Sequence, residues 1–334
     1  MQYLRIHNLE SGMKLARPLI GDNGSLLANT GTTLSSNIVT RITAMGFQGA
    51  YIDTPLFSDI IVEDVISDDI RARAFEALRE GNIRACVPLA KQLVKDLKYK
   101  EVLKLDLLDI KSDKNYVFKH SISVAVFAIV LGISCGLTET QLENLAVAGL
   151  LHDVGKLEIK KRVLKSKHIY NDKEMDEMKK HPMYAYEMLQ SYPEISSVSR
   201  NSILFHHENV DGSGYYQIPG EKLGIFPRIL RIVDTYDAMT AQKAYRNASA
   251  PAEAMEYIMS NVDKEFDREL VEVFVRKFPV YPIGFTVQLS NNEVAVIVSN
   301  DENSMRPHIR RIDGRDINLA ADAQYRSVLI DGIL

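Results

Sequence analysis

Hydrophobic positions follow two patterns along the chain, and the change between them predicts the order of the elements. From residue 113 to about 278, apolar residues recur every three or four positions, which is typical of consecutive helices. The segment 117–136 is apolar on nearly all sides, so it predicts a buried core helix. Beyond residue 279 the period changes, and the turn 291–293 between two apolar runs predicts a β-hairpin.

Polar residues mark where several of these helices begin. Ser36 and Gly46 predict the N-cap and the C′ position of a short helix near the N-terminus. Two capping boxes, in which an N-cap side chain and the third helical residue bond reciprocally, are predicted at Thr138 with Gln141 and at Asn171 with Glu174.

Together these patterns predict a mainly α protein of four units. Residues 1–57 form a small mixed α/β unit, and residues 58–112 form charged connecting helices. Residues 113–278 form an all-helical bundle, which is the core of the protein. Residues 279–334 form a small β unit.

Composition and charge exclude several classes of protein. The 334 residues are 46% hydrophobic and 25% charged, as in ordinary globular proteins, and the net charge of −4 argues against a nucleic-acid polymer as partner. The longest apolar run, 124–133, is shorter than the roughly 18–20 residues of a membrane span. Because Cys86 and Cys135 cannot form a disulfide framework and no signal peptide is visible, we expect a cytoplasmic protein.

Candidate chemistry is concentrated in five histidines and two aspartates of the helical part. These residues are His120, His152, Asp153, His181, His206, His207 and Asp234. Any one of them alone could be a core residue satisfied by a carbonyl group. Two adjacent pairs favour metal binding, because both end apolar runs, where unpaired buried polar groups are costly. Since neighbours on a helix point about 100° apart, we expect each pair to serve two nearby ions, or one ion and its bridging ligand.

The residue types also constrain the ion and the reaction. The set mixes imidazole with carboxylate and lacks thiolate, which suits iron or manganese, with zinc the weaker candidate. Two such cations activate a bridging water and hold a phosphoryl oxygen, so the predicted chemistry is hydrolysis. Lys156 follows His152 by four residues and, on a continuing helix, would hold a phosphate oxygen from the same face; a surface lysine is the alternative.

Five motifs in order resemble the HD-GYP subgroup of the HD phosphohydrolase superfamily. They are NYVFKHSISVA, HDVGK, MKKHPMYAYEML, HHENVDGSGYY and RILRIVDTYDAMTAQKAYR, and they lie within residues 113–260. HD-GYP domains are typically bacterial signalling enzymes that hydrolyse cyclic dinucleotides, chiefly cyclic di-GMP. The resemblance therefore implies an HD-type helical bundle that converts cyclic di-GMP to pGpG or GMP by attack of a metal-bridging hydroxide.

The same resemblance implies a role for each motif residue. It assigns two divalent metals to the seven histidines and aspartates, and a catalytic role to Asp153 and Lys156. Substrate contacts fall on Lys156, Gly212, Gly214, Tyr215, Lys243 and Arg246. The glycine-rich loop is a candidate surface for a signalling-protein partner, and a homodimer is a further expectation.

Three departures from the family pattern affect these expectations. Tyr216 replaces the proline of the GYP tripeptide, which leaves loop shape, substrate preference and partner docking open. Lys243 replaces an arginine, so it keeps the charge but loses the bidentate fork. Tyr116 stands where some members have a glutamate for a third metal, and we therefore expect two metals.

Two other functions fit the same residues. A receptor would bind the cyclic dinucleotide without turnover. The altered GYY loop favours this alternative. Another HD phosphohydrolase would use the same metals on a different nucleotide. A panel of nucleotides offered to the metal-loaded protein separates these alternatives from hydrolysis of cyclic di-GMP.

Overall fold

The computed structural model describes residues 1–21, 25–62, 65–100, 116–164, 166, 168, 170–240, 250–300 and 304–334. Its helices are α1 Ser36–Ala44, α2 Asp68–Arg79, α3 Ile83–Lys98, α4 Tyr116–Ser134, α5 Glu139–Leu151, α6 Lys161–Leu164, α7 Asp172–Met178, α8 His181–Leu189, α9 Ser197–Leu204, α10 Ile225–Thr240, α11 Pro251–Ser260 and α12 Arg268–Lys277. Its strands are β1 Gln2–Arg5, β2 Leu19–Ile20, β3 Leu26–Ala28, β4 Gly49–Ile52, β5 Thr286–Leu289, β6 Val294–Ser299, β7 His308–Arg311, β8 Asp316–Asn318 and β9 Ile330–Ile333.

Helix α4 lies at the centre of the helical bundle, which confirms the mainly α fold. Every residue from His120 to Gly132 is buried, because α2, α3, α5, α10 and α12 all pack against this helix. By length and composition alone α4 could also cross a membrane, a test that buried core helices commonly pass. Here 72% of its most apolar window is buried by the rest of the protein.

Helices α4 and α5 approach each other closely. A Cβ atom on Gly149 would lie 2.6 Å from the Cα atom of Ala125, so only glycine permits this approach. The carbonyl oxygen of Gly149 also accepts a hydrogen bond from Nδ1 of His152 at 2.8 Å. The tight packing of the two helices therefore also fixes the position of a candidate metal ligand.

Both predicted capping boxes are present, at the starts of α5 and α7. The predicted N-cap at Ser36 is wrong by one residue. Ser35 has the extended backbone conformation of an N-cap, and its hydroxyl accepts from the N–H of Ile38 at 3.3 Å, whereas Ser36 is already helical. Gly46 follows the helix with a φ of 87°, as expected of a C′ glycine.

The predicted C-terminal hairpin is confirmed and belongs to a larger sheet. Strands β5 and β6 pair antiparallel, with Val287 opposite Ala295. Five strands follow the order β8-β7-β6-β5-β9, and every neighbouring pair is antiparallel. One face of this sheet covers a small apolar core of its own that includes Val287, Ile297 and Ile309.

The two ends of the chain pack against each other, although the sequence predicts them as separate units. The rings of Tyr3 and Phe285 stack with centroids 4.2 Å apart, and the N–H of Tyr3 donates to the carbonyl oxygen of Gly284. The guanidinium of Arg310 binds both carboxylate oxygens of Asp59, at 2.6 and 2.9 Å. The N-terminal strands and the C-terminal sheet thus share a core, while the bounds of the four predicted units stay a prediction.

We predict that Gly149→Ala destabilises the fold, because the new methyl group has no space against α4. The free energy of unfolding should fall by about 1–3 kcal/mol, the usual cost of overpacking a core, in urea denaturation. Gly332→Ala in β9 is the matched control, since nothing lies within 4 Å of its Cβ position. A loss for Gly149→Ala no larger than that of the control would contradict the prediction.

Candidate metal centre

The bundle brings together all seven of the histidines and aspartates predicted as metal ligands. Six of them are buried, and the side chain of His207 is 21% exposed. Their donor atoms form three overlapping groups in which all atoms lie within 4.8 Å of one another: His120, His152 and Asp234; His152, Asp153 and His206; His181, His206 and His207. The spacing-based prediction of a single cluster therefore agrees with the geometry.

The adjacent pairs do not have the helical geometry that the sequence suggests. Helix α5 ends at Leu151 and α9 ends at Leu204, so both pairs lie just beyond a helix terminus. Asp153 has φ −99° and ψ 2°, and its Oδ2 lies 3.5 Å from Nε2 of His152. Neighbouring side chains can thus converge here, and which ions each pair serves stays a prediction.

Three of the histidine rings are fixed by the same backbone contact. In each, Nδ1 donates to the carbonyl oxygen three residues earlier: His152 to Gly149 at 2.8 Å, His181 to Met178 at 2.8 Å and His206 to Ile203 at 2.6 Å. Because a carbonyl oxygen can only accept, Nδ1 must carry the proton and Nε2 keeps its lone pair. All three Nε2 atoms therefore face the cluster as acceptors.

His120 is held by an aspartate that was not among the residues predicted from the sequence. Its Nδ1 lies 2.7 Å from Oδ2 of Asp237, and its Nε2 lies 3.0 Å from Oδ1 of Asp234. Asp237 follows Asp234 by three residues on α10, so this spacing in the DTYD segment could have identified it. Burial opposes the charged ring, but the bonds to the two aspartates raise the pKa of His120 to about 9.

Several of the atoms that could bind a metal are hydrogen-bond acceptors that face no hydrogen-bond donor. The Nε2 atoms of His181 and His206 are 3.3 Å apart, although both are acceptors. Asp153 Oδ1 is buried and has no hydrogen-bond partner among the described residues. Buried lone pairs without donors are costly, and a divalent cation bound by these nitrogen and oxygen atoms would remove that cost. The residues present therefore fit a metal site.

The charge states of Asp153, Asp234 and His206 are also those that metal ligands require. Burial alone would raise the pKa of Asp153, but the neighbouring charge of Lys156 holds it well below the usual range. Burial likewise opposes ionisation of Asp234, and its hydrogen bond with His120 outweighs that effect and lowers its pKa. Burial lowers the pKa of His206 well below the usual value. The carboxylates are thus charged and this imidazole is neutral near pH 7.

Lys156 reaches the cluster by a different route from the predicted one. The helix does not continue past His152, because a 3₁₀ turn, Val154–Glu158, follows. A Cβ atom on Gly155 in this turn would lie 2.0 Å from the carbonyl oxygen of His181, so the turn packs directly on the start of α8. Within it, Nζ of Lys156 contacts Oδ2 of Asp153 at 2.5 Å.

The glycine-rich loop is clamped beside the cluster by Glu208, a second residue that was not predicted from the sequence. Its two carboxylate oxygens accept from the N–H groups of Tyr216 at 2.5 Å and Ile218 at 2.9 Å. A Cβ atom on Gly214 would lie 2.4 Å from the Cα of Glu208. The burial of Glu208 within the HHE motif, and its acceptor-only side chain, account for this role.

Of the predicted substrate residues, Tyr215 and Lys156 lie at the cluster. The Tyr215 ring centroid is 4.7 Å from that of His207. Gly212 has a φ of 80° and shapes the loop, so substrate contact at Gly212 and Gly214 stays a prediction. Lys243 and Arg246 lie outside the residues that the structure describes.

A buried His and Asp cluster inside a helical bundle is typical of proteins that bind metal ions between their helices. Residues 106–270 match the family model described as HD domain. This match assigns residues 106–270 to an HD domain, and the resemblance to HD-GYP proteins is confirmed.

Curated relatives with similar sequences are named as phosphodiesterases of cyclic dinucleotides. The chain is 28% identical to a cyclic di-GMP phosphodiesterase of Pseudomonas aeruginosa, over 60% of this chain and 49% of the relative. It is also 28% identical to the cyclic di-GMP phosphodiesterase PdeB of Borreliella burgdorferi, over 65% of this chain and 58% of the relative. A 3'3'-cGAMP-specific phosphodiesterase of Vibrio cholerae is 31% identical over 47% of this chain and 30% of the relative. The chain thus spans about half the length of the first two relatives.

We predict that Glu208→Ala releases the glycine-rich loop, because two main-chain N–H groups lose their charged acceptor. Amide hydrogen exchange at Tyr216 and Ile218 should accelerate at least tenfold, which corresponds to about 1.4 kcal/mol of local opening free energy. Glu221→Ala, an exposed change in the neighbouring 3₁₀ turn, is the control and should leave both amides protected. Equal protection in the two variants would show that Glu208 is not the clamp.

Proposed function

We propose that the chain is a metal-dependent phosphodiesterase that hydrolyses a cyclic dinucleotide, with cyclic di-GMP as the first candidate. The observation that carries this proposal is the buried cluster of seven donors in which Oδ1 of Asp153 has no hydrogen-bond partner among the described residues. Two divalent cations, iron or manganese, suit its imidazole and carboxylate donors. The match to an HD domain supports metal dependence.

Different residues of the chain orient the metal ligands and contact the phosphate in such a site. When bound, divalent cations supply the positive charge that activates water and binds a phosphoryl oxygen. Asp237 fixes the tautomer and direction of His120, and the three carbonyl contacts do the same for the other rings. Lys156 holds the Asp153 carboxylate and is placed to donate to a phosphate oxygen beside it.

The residue beside His120 supports a site for two metals. Tyr116 stacks on this ring with centroids 5.3 Å apart, and its hydroxyl lies 3.4 Å from Nδ1. A phenol at this place offers no carboxylate for a third cation, which supports two metals rather than three. A cytoplasmic location, a signalling-protein partner at the GYY loop and a homodimer stay predictions.

The identity of the dinucleotide is tested with the metal-loaded protein under reducing conditions. Cyclic di-GMP, 3'3'-cGAMP, cyclic di-AMP and linear pGpG are supplied one at a time, and products are separated by chromatography. We expect cyclic di-GMP to be consumed fastest and to yield pGpG or GMP, because the first two relatives are named for that substrate. Faster loss of 3'3'-cGAMP would instead assign the specificity named for the Vibrio cholerae relative. Tight binding without hydrolysis of any nucleotide would identify a receptor.

We predict that Asp153→Ala abolishes turnover, because this carboxylate makes two of the contacts that define the cluster, to His152 and to His181. The value of kcat/KM should fall by about three orders of magnitude or more. Metal content per chain, measured by plasma mass spectrometry, should also fall, while far-ultraviolet circular dichroism stays unchanged.

Asp176→Ala, which removes an exposed carboxylate from α7, is the control for this experiment. It should keep both metal content and activity. Full activity in Asp153→Ala with its metal content intact would contradict the proposed metal site.

A further inference from the structure

Tyr215 connects the metal centre to Lys179, a lysine outside the donor cluster. The ring of Tyr215 lies 4.7 Å from the ring of His207, and Nζ of Lys179 lies over the Tyr215 ring at 5.7 Å from its centroid. This distance is within the range of a cation–π contact. The Lys179 ammonium is therefore one aromatic ring removed from a residue of the donor cluster.

The backbone holds Lys179 in a fixed position relative to that cluster. Its N–H donates to the carbonyl oxygen of Met175 at 2.8 Å, at the C-terminal end of α7. The preceding residue, Met178, supplies the carbonyl oxygen that accepts from Nδ1 of His181. The same short segment therefore orients a candidate metal ligand and carries the lysine.

The charge of Lys179 is available to a ligand, in contrast to that of its neighbour. Lys180 pairs with Glu177 at 2.9 Å, whereas no carboxylate in the described part of the chain pairs with Lys179. Lys179 is exposed, and among the described residues its ammonium contacts only the face of Tyr215. An exposed ammonium without a carboxylate partner can bind an anion without first losing an ion pair.

Two lysines thus stand at different distances from the metal centre. Lys156 contacts a carboxylate of the cluster itself, whereas Lys179 lies beyond Tyr215. A cyclic dinucleotide carries two phosphodiester groups, and only one of them can be at the metals during one hydrolytic step. The other phosphate then lies away from the metals, where an ammonium beyond the cluster can contact it.

We propose that Lys179 binds the second, non-reacting phosphate of the cyclic dinucleotide. This inference rests on the proposed function. In this role Lys179 positions the substrate. The interaction has the same strength in the bound substrate and in the transition state. Uniform binding of this kind lowers KM and leaves kcat unchanged.

The test compares three variants with the wild-type protein. Lys179→Met keeps most of the aliphatic stem over Tyr215 but removes the charge, and Lys179→Arg restores the charge. Lys180→Met is the matched control, because it removes a neighbouring exposed charge that already has a partner. Each metal-loaded protein is assayed with cyclic di-GMP and with bis(p-nitrophenyl) phosphate, a diester with a single phosphate group.

For Lys179→Met we expect KM for cyclic di-GMP to rise about tenfold, with kcat within about twofold of wild type. Hydrolysis of bis(p-nitrophenyl) phosphate should be unchanged, because that compound has no second phosphate. Lys179→Arg should recover most of the affinity, and Lys180→Met should behave as wild type. Equal KM values in Lys179→Met and Lys180→Met, or an equal loss with both substrates, would overturn the role of Lys179.

Failure of the proposed function gives a different result. A wild-type protein that cleaves bis(p-nitrophenyl) phosphate but no cyclic dinucleotide would contradict the proposed substrate. Equilibrium dialysis with cyclic di-GMP then tests Lys179 directly: a Kd about tenfold higher in Lys179→Met supports the phosphate contact. Unchanged binding, or no binding by the wild-type protein, overturns it.

Discussion

The fixed direction of the histidine rings is the constraint on which the metal centre depends. His152, His181 and His206 each give their Nδ1 proton to a carbonyl oxygen, and His120 gives its proton to Asp237. Their Nε2 atoms then meet in a buried space, where those of His181 and His206, both acceptors, lie only 3.3 Å apart. Such an arrangement is unfavourable until a cation replaces the missing protons, so metal binding should be coupled to the stability of the bundle.

The termini of the helices, more than their interiors, build this site. A helix separates adjacent side chains by about 100°. Residues just after a helix terminus have other backbone angles, so adjacent side chains can point to the same place. Helix α5 ends immediately before one ligand pair, α9 ends one residue short of the other, and α8 begins at His181. The long buried helix α4 supplies His120 from its side and provides the surface on which α5 is placed. A rigid bundle can thus position short non-helical segments accurately.

The sequence predicts the ligand types well, because histidines and aspartates at the ends of apolar runs are costly to bury unless they bind a partner. The sequence does not predict where α5 ends, because the apolar pattern before His152 contains no signal for a helix terminus. The turn that follows depends on the contact between Gly155 and the backbone of His181. The sequence gives one sign of the role of Asp237, which is its position one helical turn after Asp234. The stacking of Tyr3 on Phe285 joins opposite ends of the chain, and no local pattern carries that information.

Tyr216, where the resemblance implies a proline, holds its loop in place through contacts of its own. Proline would stiffen the backbone here but has no N–H group. Tyr216 has one, and it donates to the buried carboxylate of Glu208, while its ring contacts Phe205 edge-on at 5.8 Å. The hydrogen bond and the ring contact tie the loop to the segment that carries His206 and His207. A hydrogen bond to a carboxylate and a ring contact therefore constrain the loop, and Tyr215 is held over the donor cluster.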